Sequence, residues 1–485
     1  MTAKIVAWRT QCNIIGEEDA PFLQSLDREL SFKVQGAEHT WAYKQGQWNG
    51  IKHILTSNLD FPYGLLERVK AFYKKHNKEY EIINERPAKT ESSSIDIQSN
   101  LVAINRDPYP YQLDALEAVK RRDCGIIRMA TGSGKSLVAA MMTAHFGKRA
   151  IIYVIGKDLL YQIHDFFSNI FDDEIGIVGD SKCEIRDINV VSVWTIGQAL
   201  GLENRKILLD TTDKEKAIDK EKYKDILDLM RTAKVHIFDE CHLASCDTIQ
   251  KIASKINPEY VYGMSASPFR DDGSDLLIEG IFGSTIMDIS ASHLIRNGFL
   301  AKPIIKFQRV PKMTFSKSDT YPTVYKQYIT ENEVRNAMIV KGANMLVDQG
   351  YRPLVLFSKL KHGKLLYDEI KKTIPCMKLS GKDSAKTRAE AKDKLENGDI
   401  KCIVASTIFD IGVDLPALSG LVIAGGGKSS VRACQRIGRV IRKYKDKKYA
   451  GVIDFLDEAK FLKSHSTIRY KVYATEEEFD LYWPK

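Results

Sequence analysis

Residues 124–142 read Cys-Gly-Ile-Ile-Arg-Met-Ala-Thr-Gly-Ser-Gly-Lys-Ser-Leu-Val-Ala-Ala-Met-Met. The first six form a short apolar run suited to a buried strand, and Leu137 to Met142 reads as a helix. Between them lies Ala130-Thr131-Gly132-Ser133-Gly134-Lys135-Ser136. Strand, glycine loop and helix start form the arrangement in which backbone N–H groups point at phosphate. Gly132 and Gly134 permit close backbone approach, with Thr131 and Ser133 completing the loop. Lys135 reaches the outer phosphates of a nucleotide, and the Ser136 hydroxyl ligates magnesium. A longer form of this motif carries glycine at position 129, where this chain has Met129. The shorter form, Ala-x-x-Gly-x-Gly-Lys-Ser, matches throughout. The alternative, a tight turn with an exposed lysine, does not account for the flanking strand and helix.

Downstream, Val235-His236-Ile237-Phe238 is an apolar run ending on Asp239 and Glu240. In an open parallel sheet, ligands sit beyond the carboxyl ends of the strands, so both acids are expected to face the phosphate loop. Asp239 is expected to hold hydrated Mg²⁺, and Glu240 to orient or deprotonate the attacking water. His242 is placed to couple nucleotide state to Ser265-Ala266-Ser267, through Ser265 and Ser267. An isolated Asp-Glu after a strand is ordinarily a solvated loop; the phosphate loop upstream argues against that here.

Gln435, Arg439 and Arg442 fall at i, i+4 and i+7 and are expected on one helix face. The commoner fate of such a run is a basic solvated face. Ile437-Gly438 thins the helix where close approach is needed, and a strand over Gly420–Ala424 ends in three glycines just upstream. Arg439 and Arg442 are therefore candidate arginine fingers for charge on a γ-phosphate, with Gln435 beside them.

With these segments the chain resembles the superfamily 2 helicases, in which the shorter phosphate-loop form occurs. Further segments extend the resemblance over residues 106 to 456. Tyr109-Pro110-Tyr111-Gln112 resembles the adenine-reading segment, implying nucleotide contacts by Tyr109 and Gln112. Thr195 to Gln198 resembles a Thr-x-x-Gln strand end that touches a DNA phosphate. Leu354 to Ser358 resembles the first strand motif of the second motor domain. Ser406-Thr407, with Gly412-Val413-Asp414, resembles the segment touching both nucleic acid and nucleotide. The resemblance thus implies DNA contacts by Thr195, Ser358, Ser406 and Thr407, and a nucleotide contact by Asp414. Trp41 to Gly50 and Phe61 to Leu65 are similar to the N-terminal domain of phage UvsW-type helicases, which branch-migrate DNA junctions and remove R-loops. That implies DNA contacts by Trp41 and Trp48.

Composition sets the bounds. A chain of 485 residues holds two to four domains with ample core. It has no long apolar run and no charged-then-apolar leader, so no membrane partner is expected and the expected location is cytoplasmic, that of the host cell if the gene belongs to a phage. Eight cysteines without a C-x-x-C pair read as reduced thiols. The net charge of +9 is uneven. Residues 291–485 carry 36 basic and 21 acidic side chains, against 23 and 29 in residues 106–290. A basic second half fits a phosphate-backbone track, although lysine-rich surface also serves solubility.

The expected fold class is α/β: two tandem RecA-like parallel-sheet domains behind a small α+β N-terminal domain. The expected boundaries are 1–105, 106–297 and 298–485, with a polar linker at Ser92–Ser94 and a hinge over Gly298 to Pro303. Ile5 to Trp8 and Thr40 to Tyr43 read as strands, and Gly64 to His76 as a helix. Trp41, Tyr43, Trp48, Phe61 and Tyr63 are candidates for stacking on unpaired bases, although cross-strand packing is the more frequent role of such residues. Glu203 to Lys234 reads as a charged helical insert. The tail from Phe461 is open, with Glu476-Glu477-Glu478 starting a short helix or staying exposed.

The expected activity is that of an ATP-dependent DNA helicase or translocase, with ATP and Mg²⁺ as cofactors and branched or partly single-stranded DNA as substrate. A monomer is expected, with phage or host recombination and replication proteins as partners. Deleting residues 1–100 is expected to spare much basal ATP turnover. The rival readings are an RNA helicase and a motor subunit of a restriction or nuclease complex.

Overall fold

Short runs rich in Ile, Val and Phe become the strands of three main sheets, and the segments between them become covering helices. The computed structural model describes residues 2–202, 223–267, 273–381, 383–406, 415–427 and 429–484. The chain divides into two units, Met1–Met129 with Gly134–Asp288, and Ala130–Ser133 with Ile289–Lys485.

The first unit contains a four-stranded sheet in the order Asp60–Pro62, Gln11–Ile15, Ala3–Ala7, Tyr80–Asn84. Its first two pairings are antiparallel and the last is parallel. The helices Ala20–Glu29 and Leu66–Lys75 bury Phe22, Leu26, Val69 and Phe72 in its core. One member of that core, Leu276, comes from the motor part of the unit. An appended two-stranded ribbon, Ser31–Lys33 with Ile51–His53, carries the segment around Trp41.

That segment differs from the sequence expectation. Trp41–Lys44 is a short helix, not a strand, because the Thr40 hydroxyl accepts the Tyr43 N–H and caps it. Trp41 is 67% exposed, whereas Phe61 is fully buried and belongs to the core. Trp48 is partly buried, its indole N–H donating to the Ile51 carbonyl at 2.7 Å. The aromatic set is therefore split between surface and core.

The rest of the first unit is an eight-stranded sheet. Its order is Lys182–Glu184, Ile175–Gly179, Ile188–Ser192, Ala150–Val154, Val235–Asp239, Tyr260–Ser265, Cys124–Met129, Thr285–Ile289. From Ile175–Gly179 to Cys124–Met129 every pairing is parallel. Parallel strands covered on both faces lose the polar–apolar alternation, and Ala150–Val154 is buried at every residue. Of the charged insert, residues 203–222 lie outside the described residues. Lys224–Thr232 is a helix whose Ile226, Leu229 and Met230 join the core.

The N-terminal sheet is fixed to this motor sheet. Arg68 donates to both carboxylate oxygens of Glu279, at 3.2 Å and 3.3 Å from Nε. Buried Glu259 accepts from the backbone and hydroxyl of Thr90 and pairs with Arg9 and Lys148. The polar linker is pinned: Ser92 Oγ donates to the Phe146 carbonyl and Ile95 N–H to that of Ala144. This docking removes the ground for expecting a deletion of residues 1–100 to be mild.

The second unit is built on a seven-stranded sheet, ordered Cys376–Leu379, Cys402–Ser406, Pro353–Phe357, Gly420–Val422, Tyr449–Asp457, Lys302–Val310, Asp480–Tyr482. All its pairings are parallel. Pro303 is the second residue of an edge-adjacent strand rather than part of a loop. The tail is ordered: Leu462–Tyr473 is a helix, and Asp480–Tyr482 adds the last strand. Glu476 starts no helix; its carboxylate accepts the Ser292 N–H at 2.8 Å and the Ser292 hydroxyl at 2.7 Å.

Candidate nucleotide and nucleic-acid sites

The strand Cys124–Met129 leads through the glycine loop into the helix Lys135–Phe146. Gly132 and Gly134 have φ of +88° and +79°, a left-handed conformation that side chains resist. Gly134 precedes the first helical residue, Lys135, so the helix begins directly on the loop. A Cβ at Gly134 would collide with the Gln112 side-chain amide. Gln112 is buried, and its Oε1 accepts the Tyr109 N–H at 2.9 Å. The two residues expected to read the base thus begin one helix, with Gln112 packed on the phosphate loop and Tyr109 half exposed.

Parallel pairing brings Ser265 level with Arg128 and Asp239 level with Met264. The carboxyl ends of three adjacent strands therefore meet beside the phosphate loop. Burial pushes the Asp239 carboxyl up from its usual range, as does Glu240, while nearby Lys135 pulls it down. Glu240 adopts φ of +52°, unusual for a residue with a side chain. Its carboxylate lies 3.1 Å from His242 Nδ1, which is also 3.1 Å from Ser265 Oγ. Ser265 Oγ in turn accepts the Ser267 N–H at 3.2 Å. Acid, imidazole, the Ser265 hydroxyl and the Ser267 N–H form one continuous path.

A partly buried carboxylate raised by desolvation favours a cation, and Asp239 with the Ser136 hydroxyl offers hard oxygen donors of the type Mg²⁺ takes. Among the described residues no cluster of three or more His, Cys, Asp or Glu side chains suits a metal held by protein alone. A site completed by phosphate oxygens fits that donor set.

Thr195 lies on the helix Val193–Ala199 rather than on a strand end, one turn after the strand Ile188–Ser192. In the second unit, Ser358 follows the strand Pro353–Phe357 and is exposed, while Ser406 ends the neighbouring strand and is buried. Phe357 and Ser406 are in register, so both serines mark the carboxyl edge of this sheet. Thr407 and Asp414 lie outside the described residues.

The helix Ser430–Val440 carries Gln435, buried, and Arg439, half-buried. Arg442 departs from the expected helical face: the helix is capped at Ile441, and Arg442 pairs instead with Leu300 in a β-bridge. Its guanidinium is thus carried on extended backbone. Arg335, Arg436 and Arg469, none of them singled out from sequence, are almost fully buried around the loop after Gly420–Val422. Arg335 shares a helix face with Ile339, Gly342 and Leu346, and a charge on an apolar face was the available signal.

Comparison with known proteins agrees with this geometry. Three family models match in order: DNA helicase UvsW, N-terminal, at residues 9–84; the Type III restriction enzyme res subunit at 105–270; and the helicase conserved C-terminal domain at 339–444. The chain is 29% identical to the ATP-dependent DNA helicase uvsW of Enterobacteria phage T4 over 461 residues, covering 89% of this chain and 86% of that one. It is 24% identical to the DNA 3'-5' translocase XPB2 of Sulfurisphaera tokodaii, covering 73% of this chain and 84% of that one. The S. cerevisiae Dbp5 structure bound to RNA and ADP BeF3 shares the fold, with a TM-score of 0.53 and 13% identity, covering 80% of this chain and 92% of that one. A phosphate loop and Asp-Glu strand, followed by a match to the helicase C-terminal domain and preceded by one to the UvsW N-terminal domain, make the chain similar over most of its length to the UvsW-type superfamily 2 helicases.

Proposed function

We propose that this chain is an ATP-dependent DNA helicase that remodels branched DNA, by migrating junctions and unwinding forks or R-loops during recombination, repair or replication. The observation that carries this reading is the path from Lys135 and Asp239 through Glu240 and His242 to Ser265, in a unit that also holds the docked N-terminal domain. Lys135 and the N–H groups at the start of its helix hold the ATP phosphates. Asp239 and Ser136 would hold Mg²⁺, which when bound neutralises charge on the phosphate oxygens. Glu240 orients the attacking water, and its proton passes to a carboxylate already hydrogen-bonded to His242. Arg439 and Arg442 supply positive charge to the γ-phosphate, with Gln435 alongside.

Contacts by Thr195, Ser358, Ser406 and Thr407 to the sugar-phosphate backbone would grip the strand without reading its sequence. Exposed Trp41 is suited to stack on a base at a junction, with Trp48 fixing its ribbon. The protein acts as a monomer in the cytoplasm, that of the host cell if its gene belongs to a phage, alongside recombination and replication proteins. Among the described residues no helix is long and apolar enough to cross a membrane.

The test is conversion of a synthetic four-way junction and an R-loop, resolved on native gels, with and without ATP. Hydrolysis-dependent conversion of both supports the proposal. Activity confined to RNA duplexes, or conversion without hydrolysable ATP, contradicts it.

A further inference from the structure

Beyond the strand Gly420–Val422 the chain turns through Ala424-Gly425-Gly426-Gly427, with φ of +59° at Gly426 and +111° at Gly427. Three glycines in sequence have many unfolded conformations, so a single shape must be imposed from outside. Each carbonyl in the run is taken by a different side chain. Arg335 Nη1 donates to Ala424 O at 2.7 Å and the Tyr325 hydroxyl to Gly425 O at 2.7 Å. Arg436 Nη1 donates to Gly426 O at 3.2 Å and Arg469 Nη1 to Gly427 O at 2.7 Å. The donors come from four separate helices, ending at or spanning Tyr325, Arg335, Arg436 and Arg469.

Two of the donors are held by buried carboxylates. Arg335 Nε lies 2.8 Å from Asp457 Oδ1, and Arg469 lies 2.9 Å and 2.7 Å from the two oxygens of Asp454. Asp454 and Asp457 are on the strand Tyr449–Asp457, adjacent to Gly420–Val422 in the sheet. Stability alone does not call for such pairs, since apolar side chains often replace buried ion pairs without loss. A guanidinium, however, spreads its donors over a rigid planar fork that reaches the carboxylate and the carbonyl at once, whereas an apolar chain has no donor and lysine gathers its donors on one nitrogen.

The clamped loop joins two candidate contacts. A Cβ at Gly425 would strike the Ser358 hydroxyl and backbone, so the loop packs directly against Ser358 at the residue whose carbonyl Tyr325 holds. On its other side the loop runs to Ser429, whose hydroxyl caps the helix bearing Gln435 and Arg439 by accepting the Arg432 N–H. We propose that Arg335, Tyr325, Arg436 and Arg469 are positioning residues, which hold the Ala424–Gly427 loop so that a change at Ser358 is transmitted to Arg439 and sets the rate of ATP hydrolysis. This rests on the helicase reading; none of the four need touch nucleotide or DNA.

The test uses Arg335→Lys and the milder Tyr325→Phe in the full chain, with amide hydrogen exchange beside steady-state ATPase on single-stranded DNA. Exchange over residues 424–440 is expected to rise by roughly tenfold, as for local opening. DNA-stimulated kcat is expected to fall by about tenfold, with ATP affinity changed less than about twofold and thermal stability nearly kept for Tyr325→Phe. A role confined to folding would lower the melting temperature and the active fraction together, with kcat per folded molecule preserved, and that outcome overturns the proposal. So do unchanged exchange, and raised exchange with unchanged kcat. Absence of DNA-stimulated hydrolysis in the unaltered protein would refute the helicase reading, while the exchange arm still reads the clamp.

Discussion

His242 Nδ1 lies 3.1 Å from Ser265 Oγ, joining the carboxyl ends of the neighbouring strands Val235–Asp239 and Tyr260–Ser265. Because the same nitrogen faces Glu240, any movement of that carboxylate on hydrolysis is felt at Ser265. His242→Ala should therefore keep ATP turnover within about threefold while strand displacement falls by roughly tenfold or more. Parallel loss of both rates, measured on one fork substrate, would show that His242 serves hydrolysis alone.

Asp239 carries a charge that its surroundings oppose when no ligand is present. Its folded-state value is raised, so between the ordinary 3.8 and about 6 the native state binds more protons than the unfolded chain. Stability therefore falls as pH rises through that window, and above it the ionised side chain exacts its full cost. Asp239→Asn should abolish hydrolysis yet raise the melting temperature at pH 7 by a few degrees, with the gain gone near pH 4. Calorimetry of both proteins at the two pH values checks the sign; a destabilised variant at pH 7 would contradict it.

Two buried histidines act in the opposite sense. His236 and His362 are held down to about 4 and about 3, chiefly by burial, below the ordinary 6.5. His236 Nε2 faces the Ala233 carbonyl and Nδ1 the Tyr153 hydroxyl, so the neutral ring donates to one and accepts from the other. Each contributes stability that is present above pH 6.5 and lost as pH falls through its folded value. Melting temperatures should decline from pH 6.5 toward 4, and His236→Gln should flatten that decline. An equally steep acid limb in the variant would exclude His236 as its source.

Gly64 backs directly onto the motor sheet's covering helix. A Cβ there would sit 2.6 Å from the Gly280 carbonyl and 2.7 Å from the Gly283 N–H. Gly64→Ala should cost about 1–3 kcal/mol, as overpacking does. Removal of residues 1–100 would also uncover Leu276 and strip Arg9 and Thr90 from buried Glu259. The remaining fragment should unfold at lower temperature and lose basal ATPase. Full basal activity in a stable fragment would contradict this docking.

The motor fold was legible because its parallel strands are short apolar runs with chemically distinctive residues at or just beyond their ends, Asp239 and Lys135 among them. Helix Trp41–Lys44 was misread because Trp and Tyr two apart suggest a strand, while the capping by Thr40 acts through a single hydrogen bond. Arg442 followed the i+7 spacing of Gln435, but the helix is capped at Ile441, and the spacing itself carries no sign of that cap. The loop clamp draws on residues 325, 335, 436 and 469, whose separation in sequence exceeds any local pattern. Only the presence of Arg335 and Arg469 on apolar helix faces hinted at it.

The most direct test is steady-state ATP hydrolysis by the unaltered protein and by Lys135→Ala, without nucleic acid and with single-stranded DNA, a four-way junction or RNA. Strong stimulation by DNA, greatest with the junction, and a loss of at least about a hundredfold in the variant are expected. Substantial turnover by Lys135→Ala, or stimulation by RNA alone, would contradict the DNA helicase reading.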